Sequence, residues 1–107
     1  MAPQKHVLQY AAKIYPEAAE QPFDVFFVCD TLSQFDEKYL RDMSKYNCNL
    51  YHVLPEKAER IEKNRKLRAI ISVPELKCGN GFALLDGLRT HIGKNTPLMI
   101  YSSPQAA

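Results

Sequence analysis

The sequence predicts an α/β protein with a doubly wound parallel sheet of about four strands and an extra N-terminal helix. Residues 67–103 follow the order apolar strand, Pro/Gly loop, amphipathic helix, apolar strand, which is a βαβ unit with parallel strands. Helical and strand patterns also alternate along the rest of the chain, as in doubly wound folds. Residues 23–29 are almost continuously apolar, which is typical of a central strand covered on both faces.

The composition indicates one small globular domain. The chain has 107 residues, 46% hydrophobic and 24% charged, with a net charge of +2, so nothing global demands a nucleic acid or membrane partner. No apolar run approaches the roughly 20 residues that span a bilayer, and the first residues lack a signal-peptide core. We therefore predict a cytoplasmic protein. The three cysteines match neither a disulfide framework nor a zinc pattern, so no metal and no cofactor is predicted.

The N-terminal segment, residues 1–21, is predicted to be helical and to precede an α/β domain at residues 22–107. Apolar residues recur at helical spacing over residues 5–20. Pro16 removes a backbone donor and crowds the preceding turn, so the segment is one helix ending near Tyr15 or two short pieces. Gln21 and Pro22 form the predicted hinge.

The remaining elements follow in order. After the strand at residues 23–29, Thr31 or Ser33 caps a helix that runs to about Tyr46. A short strand covers residues 50–54, and Pro55 begins a helix that runs to about Asn64. The βαβ unit then places strands at residues 67–73 and 97–101 and a helix at residues 82–92. The inward face of the first domain helix is predicted to hold Leu32, Phe35, Tyr39, Leu40 and Met43.

Polar residues follow several predicted strands at the carboxyl edge of the sheet, where open α/β folds place their chemistry. Parallel pairing brings Cys29 and Asp30 near Ser72, Val73 and Ser102. One carboxylate, even with Glu75 nearby, is too few for a magnesium site. We therefore predict that Asp30 caps the helix that follows it.

Residues 67–103, LRAIISVPELKCGNGFALLDGLRTHIGKNTPLMIYSS, resemble the middle of a response-regulator receiver domain from two-component signalling. The Gly79-Asn80-Gly81 turn, the apolar helix at residues 82–88, Pro97 and Ser102 match the family pattern in order and spacing. The resemblance extends over residues 24–103.

The departures from the family pattern concern its phosphorylation pocket. The resemblance places Val73 at the phosphoacceptor aspartate and Cys29 with Asp30 at the family's acidic pair. The strand that carries the family's lysine has no counterpart in this sequence. Phosphoryl transfer needs a nucleophile, Mg²⁺ and charge neutralisation together. The degenerate pocket of Cys29, Asp30, Val73 and Ser102 therefore implies a truncated pseudo-receiver that is not an enzyme and is not phosphorylated.

Such a module is expected to act by binding a protein partner. The partner is another signalling domain or a second copy of the chain, which favours a homodimer, and regulation is by occupancy. The contact surface is expected at residues 97–107 together with the N-terminal helix. The residues predicted to bind the partner are Val7, Tyr10, Ile14, Met99 and Tyr101.

Two other functions remain open from the sequence. A nucleic-acid regulator would use the basic residues of the helix that begins at Pro55, namely Lys57, Arg60, Lys63 and Arg65. Predicted i,i+4 pairs, Glu59 with Lys63 and Glu62 with Lys66, favour an ordinary solvated helix instead. A small anion-binding protein or enzyme would use Asp30, Ser72, Cys78 and Ser102. The chain is also compatible with a piece of a larger regulator.

Overall fold

The computed structural model describes residues 9–102 and shows a mixed α/β fold with a mostly parallel central sheet. Its five strands lie in the order β1-β3-β2-β4-β7. These strands are β1 (Ala11–Lys13), β2 (Phe23–Val28), β3 (Cys48–Val53), β4 (Leu67–Ser72) and β7 (Leu98–Ile100). The pairs β3–β2, β2–β4 and β4–β7 are parallel, and only β1 runs antiparallel to its neighbour β3. The α/β class and a mostly parallel sheet are therefore confirmed.

The connections between the strands are helical, with one added hairpin. The two α-helices are α1 (Glu37–Met43) and α2 (Gly81–Ile92), and 3₁₀ helices cover Leu32–Gln34 and Pro55–Arg60. The predicted Pro/Gly loop contains a small antiparallel hairpin of β5 (Glu75–Leu76) and β6 (Gly79–Asn80). Within residues 9–102, no helix is long and apolar enough to cross a membrane.

The prediction of an N-terminal helix is wrong where the structure describes that segment. Ala11, Ala12 and Lys13 form β1, which pairs with Val53, His52 and Tyr51 of β3. Their burial alternates between half-buried and exposed, as expected for a strand on the edge of a sheet. Pairing with β3 satisfies backbone groups that a short isolated helix would leave frayed. This strand brings the sheet to five strands rather than four, and it joins the same sheet as the rest of the fold.

Two other predicted helices are shorter than expected. The predicted helix ending near Tyr46 is divided at Phe35, whose backbone is extended. Asp36 then begins α1, and its side chain accepts a hydrogen bond from the Lys38 backbone N–H at 3.1 Å. The helix that begins at Pro55 is a 3₁₀ helix and ends at Arg60 instead of continuing to about Asn64.

The hydrophobic core lies on both faces of the sheet. One face packs against α2 and the Pro55–Arg60 3₁₀ helix, and the other packs against α1 and the hairpin. The first cluster contains Phe26, Val28, Tyr51, Val53, Ala58, Ile61, Leu67, Ile70, Leu85, Leu88 and Ile92. The second contains Val25, Phe27, Cys29, Phe35, Leu40, Leu50, Ala69, Ile71, Val73 and Leu76. Because β2 contributes to both clusters, its continuous apolar run is explained by burial on two sides.

A buried polar pair ties the segment before β2 to the sheet. Asp24 and Asn49 are 1% and 2% exposed, and Asn49 Nδ2 donates to Asp24 Oδ1 at 2.9 Å. Asn49 also donates to the backbone oxygen of Gln21 at 2.9 Å and accepts from its backbone N–H at 3.0 Å. The amide therefore satisfies a buried carboxylate and fixes the entry into β2 at the same time.

Candidate functional site

The carboxyl ends of β2, β4 and β7 lie side by side and form the carboxyl rim, which comprises residues 29–30, 72–74 and 101–102. Val73 N–H donates to the Val28 oxygen at 3.3 Å, and Tyr101 N–H donates to the Ser72 oxygen at 2.8 Å. These hydrogen bonds place Val73 at the end of a central parallel strand, next to the end of β2. The structure thus brings Cys29, Asp30 and Val73 to one edge of the sheet, and exposed Ser102 follows the neighbouring strand.

The interior of the carboxyl rim is filled rather than open. Val73 is 3% exposed and belongs to the core cluster beside α1. The Ser72 hydroxyl is also buried and donates to the Val73 oxygen at 2.9 Å. Gly81 approaches so closely that a Cβ there would lie 2.1 Å from the Val73 oxygen. The Ser72 hydroxyl is therefore used within the fold and is not available to bind an anion.

The hairpin covers the carboxyl rim and is held there by Asp30. The Asp30 carboxylate Oδ2 accepts a hydrogen bond from the Lys77 backbone N–H at 2.9 Å. The prediction that Asp30 caps the following helix is wrong, since Thr31 precedes the 3₁₀ helix and Asp36 caps α1. A carboxylate used in this way stabilises a loop that lies far from it in the sequence.

Gln34 adds a second attachment between the same loop and the first 3₁₀ helix. Its side-chain Nε2 donates to the Glu75 oxygen at 2.9 Å, while its Oε1 accepts from the backbone N–H of Asp30 at 2.8 Å. The arrangement closes the carboxyl rim through main-chain groups of the hairpin. The sequence does not predict these contacts, because the loop contributes backbone donors and acceptors that do not depend on residue type.

Cys29 is held as a neutral thiol. Burial in the core, and then the charge of Asp30, raise the pKa of the Cys29 thiol to about 12. The thiolate is the reactive form of cysteine, so Cys29 is unsuited to nucleophilic chemistry near neutral pH. Cys78 is exposed on the hairpin. Residues 9–102 contain no group of three His, Cys, Asp or Glu side chains arranged to hold a metal ion.

The open flank of the sheet carries exposed or half-buried apolar side chains on both faces of the sheet, which we call the β7 surface and define as Phe82, Leu98, Met99 and Ile100. Phe82 is 63% exposed and Met99 is 43% exposed. Leu98 and Ile100 help to line a groove of about 710 Å³ against α2. No described strand pairs with the outer side of β7. Met99 was predicted at this flank but Phe82 was not, and the exposure of Phe82 follows from its position on the outer side of α2.

Tyr101, also predicted to bind a partner, is used inside the fold. Its ring lies 4.9 Å from the ring of Phe35 and 4.7 Å from that of Tyr39, centroid to centroid. Its hydroxyl accepts a hydrogen bond from the Asp36 backbone N–H at 3.2 Å. Tyr101 therefore anchors the end of β7 to the start of α1.

The N-terminal residues proposed for the same surface lie elsewhere. Val7 is outside the described residues. Tyr10 packs edge-on against Phe26, and Ile14 N–H donates to the Leu50 oxygen at 2.8 Å. Both residues belong to the β1 edge, and β3, β2 and β4 separate that edge from β7. The expectation that the N-terminal segment and the C-terminal flank form one continuous surface is therefore wrong.

The basic residues do not form a single face of a helix. Lys57 and Arg60 belong to the 3₁₀ helix, while Lys63 and Arg65 follow it in an exposed loop. The predicted ion pairs of Glu59 with Lys63 and Glu62 with Lys66 are absent from the described part of the chain. Lys66 instead pairs with Glu20 at 3.2 Å. The early end of the helix removes the i,i+4 geometry on which both predicted pairs depend.

No protein-family model, curated protein or solved structure matches this chain.

Proposed function

We propose that this chain is a non-enzymatic interaction module of receiver-like, doubly wound fold, a pseudo-receiver that binds a protein partner in signalling. The observation that carries the proposal is the burial of Val73 at the carboxyl rim, where phosphoryl chemistry would need a side-chain oxygen. The order of the four parallel strands, β3-β2-β4-β7, supports the fold assignment because it corresponds to the 2-1-3-4 order of flavodoxin-like sheets.

The proposed contact surface is the β7 surface. In a parallel ladder, alternate residues of an edge strand direct their backbone groups away from the neighbouring strand. The hydrogen bonds from Ile70 to Pro97 and from Tyr101 to Ser72 show which side of β7 faces β4. The N–H and C=O groups of Leu98 and Ile100 therefore point outward, where another strand would pair with them.

The exposed side chains of Phe82 and Met99 add apolar surface beside this edge, and no charged residue lies within β7. An exposed edge without protecting charges is suited to binding and favours association. A second copy is the first partner to test because β7 is short and apolar and can pair with itself across a two-fold axis. We place the module in the cytoplasm, where two-component signalling proteins act.

Light scattering over a range of concentrations tests the proposal, with Phe82→Asp/Met99→Asp compared against Tyr46→Asp. Tyr46 is 69% exposed and lies outside the β7 surface, so the control introduces a charge at another exposed aromatic position. We expect the wild-type chain and Tyr46→Asp to dimerise with rising concentration and the double variant to remain monomeric.

A constant monomer mass for the wild-type chain would remove the homodimer and leave a signalling domain as the partner. A pull-down with Phe82→Asp/Met99→Asp and Tyr46→Asp then tests whether the β7 surface binds that partner. Retention of the partner by Phe82→Asp/Met99→Asp would show that the β7 surface is not the binding site. A phosphoryl adduct in the intact mass, after incubation with a small phosphodonor and Mg²⁺, would contradict the pseudo-receiver assignment.

A further inference from the structure

A second groove lies on the other side of α2, against the Pro55–Arg60 3₁₀ helix. It encloses about 630 Å³, and its apolar lining includes Ala58, Leu84 and Leu88. This volume falls within the range of about 300–1,000 Å³ that is usual for binding pockets. Glu56 and Glu59 lie along one rim. We call it the acidic groove, defined by Glu56, Glu59, Ala58, Leu84, Gly87 and Leu88.

The helix type explains why the acidic side chains collect on one rim. In a 3₁₀ helix, residues three apart lie above one another, so Glu56 and Glu59 share one stripe and Lys57 and Arg60 share the next. The basic stripe does not line the groove. Neither glutamate forms an ion pair within residues 9–102. The groove therefore presents two carboxylates without an ion-pair partner in the described part of the chain, beside an apolar floor, and His91 also lines it.

Gly87 lies in the wall of the groove that α2 forms, and the fold does not require a glycine there. It lies in the interior of α2, where glycine costs about 1 kcal/mol relative to alanine. A Cβ at this position would meet nothing within 4 Å. The absent side chain leaves the helix backbone exposed in the wall of the groove, where another chain can approach it closely.

We infer that the acidic groove binds a basic amphipathic helical segment of a partner protein. Apolar side chains of the segment would lie on Leu84 and Leu88, and the segment would cross α2 near Gly87. The rise of about 2 Å per residue separates Glu56 from Glu59 by about 6 Å along the 3₁₀ helix. Two Lys or Arg side chains four residues apart on an α-helix have the same separation of about 6 Å.

The inference goes beyond the proposed function and does not depend on it, since the acidic groove and the β7 surface lie on opposite sides of α2. Charge complementarity identifies the occupant. The protein has a net charge of +2, so non-specific attraction does not draw a cationic segment to it. Only a local acidic surface does so, and the carboxylates also disfavour a phosphate-bearing ligand.

The test is binding of a fluorescein-labelled amphipathic peptide, made of Ala, Leu and two Lys four residues apart, to the full chain in an anisotropy titration. We expect saturable binding that weakens by about tenfold in Glu56→Lys/Glu59→Lys, since attraction becomes repulsion. Gly87→Leu should weaken binding by about tenfold because the new side chain fills the groove. The control Glu17→Lys/Glu75→Lys changes the net charge equally at two exposed positions outside the groove and should bind as the wild type does.

Three results would overturn the inference. The first is that the peptide shows no saturable binding, the second is that the control variant loses as much affinity as Glu56→Lys/Glu59→Lys, and the third is that a peptide with Glu in place of Lys binds equally well. Dimerisation of the chain that Gly87→Leu abolishes would assign the groove to a second copy instead. Both charged positions are exposed, so the charge-reversal variant is expected to fold even if Gly87→Leu does not.

Discussion

Gly81 shows how one residue closes the carboxyl rim. The Val73 oxygen and the Ser72 hydroxyl lie 2.1 Å and 2.6 Å from the position of a Cβ at Gly81. Real Cβ atoms do not approach backbone oxygen so closely, so only glycine fits without displacing the end of β4. The same residue begins α2, and its N–H donates to the Pro74 oxygen at 2.9 Å.

We predict that Gly81→Ala lowers the free energy of unfolding by about 3 kcal/mol or prevents folding, because the backbone must shift to relieve the overlap. Gly87→Ala is the matched control in the same helix. It should raise stability by about 0.5–1 kcal/mol, since its Cβ enters open space. Urea denaturation followed by far-UV circular dichroism measures both. Equal stability of Gly81→Ala and the wild-type chain would contradict the close approach.

At the scale of elements, the hairpin of β5 and β6 is attached to the fold by few groups. Asp30 and Gln34 hold its backbone, and the hairpin strands contain two residues each. An isolated two-stranded hairpin is marginally stable at best. The side chain of Asp30 is therefore expected to control how often this cover opens.

We predict that Asp30→Ala speeds hydrogen exchange of the Lys77 amide by tenfold or more, as expected for loss of a hydrogen bond to a charged acceptor worth about 1.5–3 kcal/mol. Exchange in β2 should change little. Asp42→Ala is the control, because Asp42 pairs with Lys38 on α1 and does not contact the hairpin. An unchanged Lys77 exchange rate would show that the hairpin is held by other contacts.

The elements differ in how well the sequence predicts them. β2, β3, β4, α2 and β7 were all predicted, because each carries an apolar run or stripe that tertiary packing uses directly. β1 was not predicted, since Ala11–Lys13 has no strand propensity and forms only because β3 offers an edge. The change to 3₁₀ geometry after Pro55 was also missed, although it produces the acidic stripe of Glu56 and Glu59.

The candidate site was predicted only in part for a related reason. Parallel pairing was enough to place Cys29, Asp30 and Val73 at one edge. The role of Asp30 depends on a backbone N–H that is 47 residues away, and no residue pattern reports such a partner. The separation of Tyr10 from Met99 depends on the place of β1 at the opposite edge of the sheet, and β1 was not predicted.

At the scale of the whole molecule, two buried ionisable groups make the free energy of unfolding decrease at alkaline pH. Burial raises the pKa of Tyr51 from 10.0 to about 12, with further contributions from the negative charges of Asp24 and Glu20. Burial raises the pKa of Cys29 from 9.0 to about 12. Unfolding lets both groups ionise at lower pH. Their contribution is therefore complete below about pH 9 and is lost as the pH rises toward 12.

We predict that the urea midpoint falls between pH 9 and pH 12 and that Tyr51→Phe makes the fall shallower. Tyr46→Phe, at a position that is 69% exposed, serves as the control and should keep the wild-type slope. Identical slopes in the wild-type chain and Tyr51→Phe would contradict this linkage.

The position of β1 and β7 at opposite edges of the sheet has a practical consequence for recombinant protein. Gln9 lies two residues before β1 and Ser102 two residues after β7, and four strand spacings of about 4.8 Å separate the two edges. A fluorophore attached at Ser102 would lie beside the outer edge of β7 and obstruct it. A fluorophore attached at Gln9 would leave that edge free.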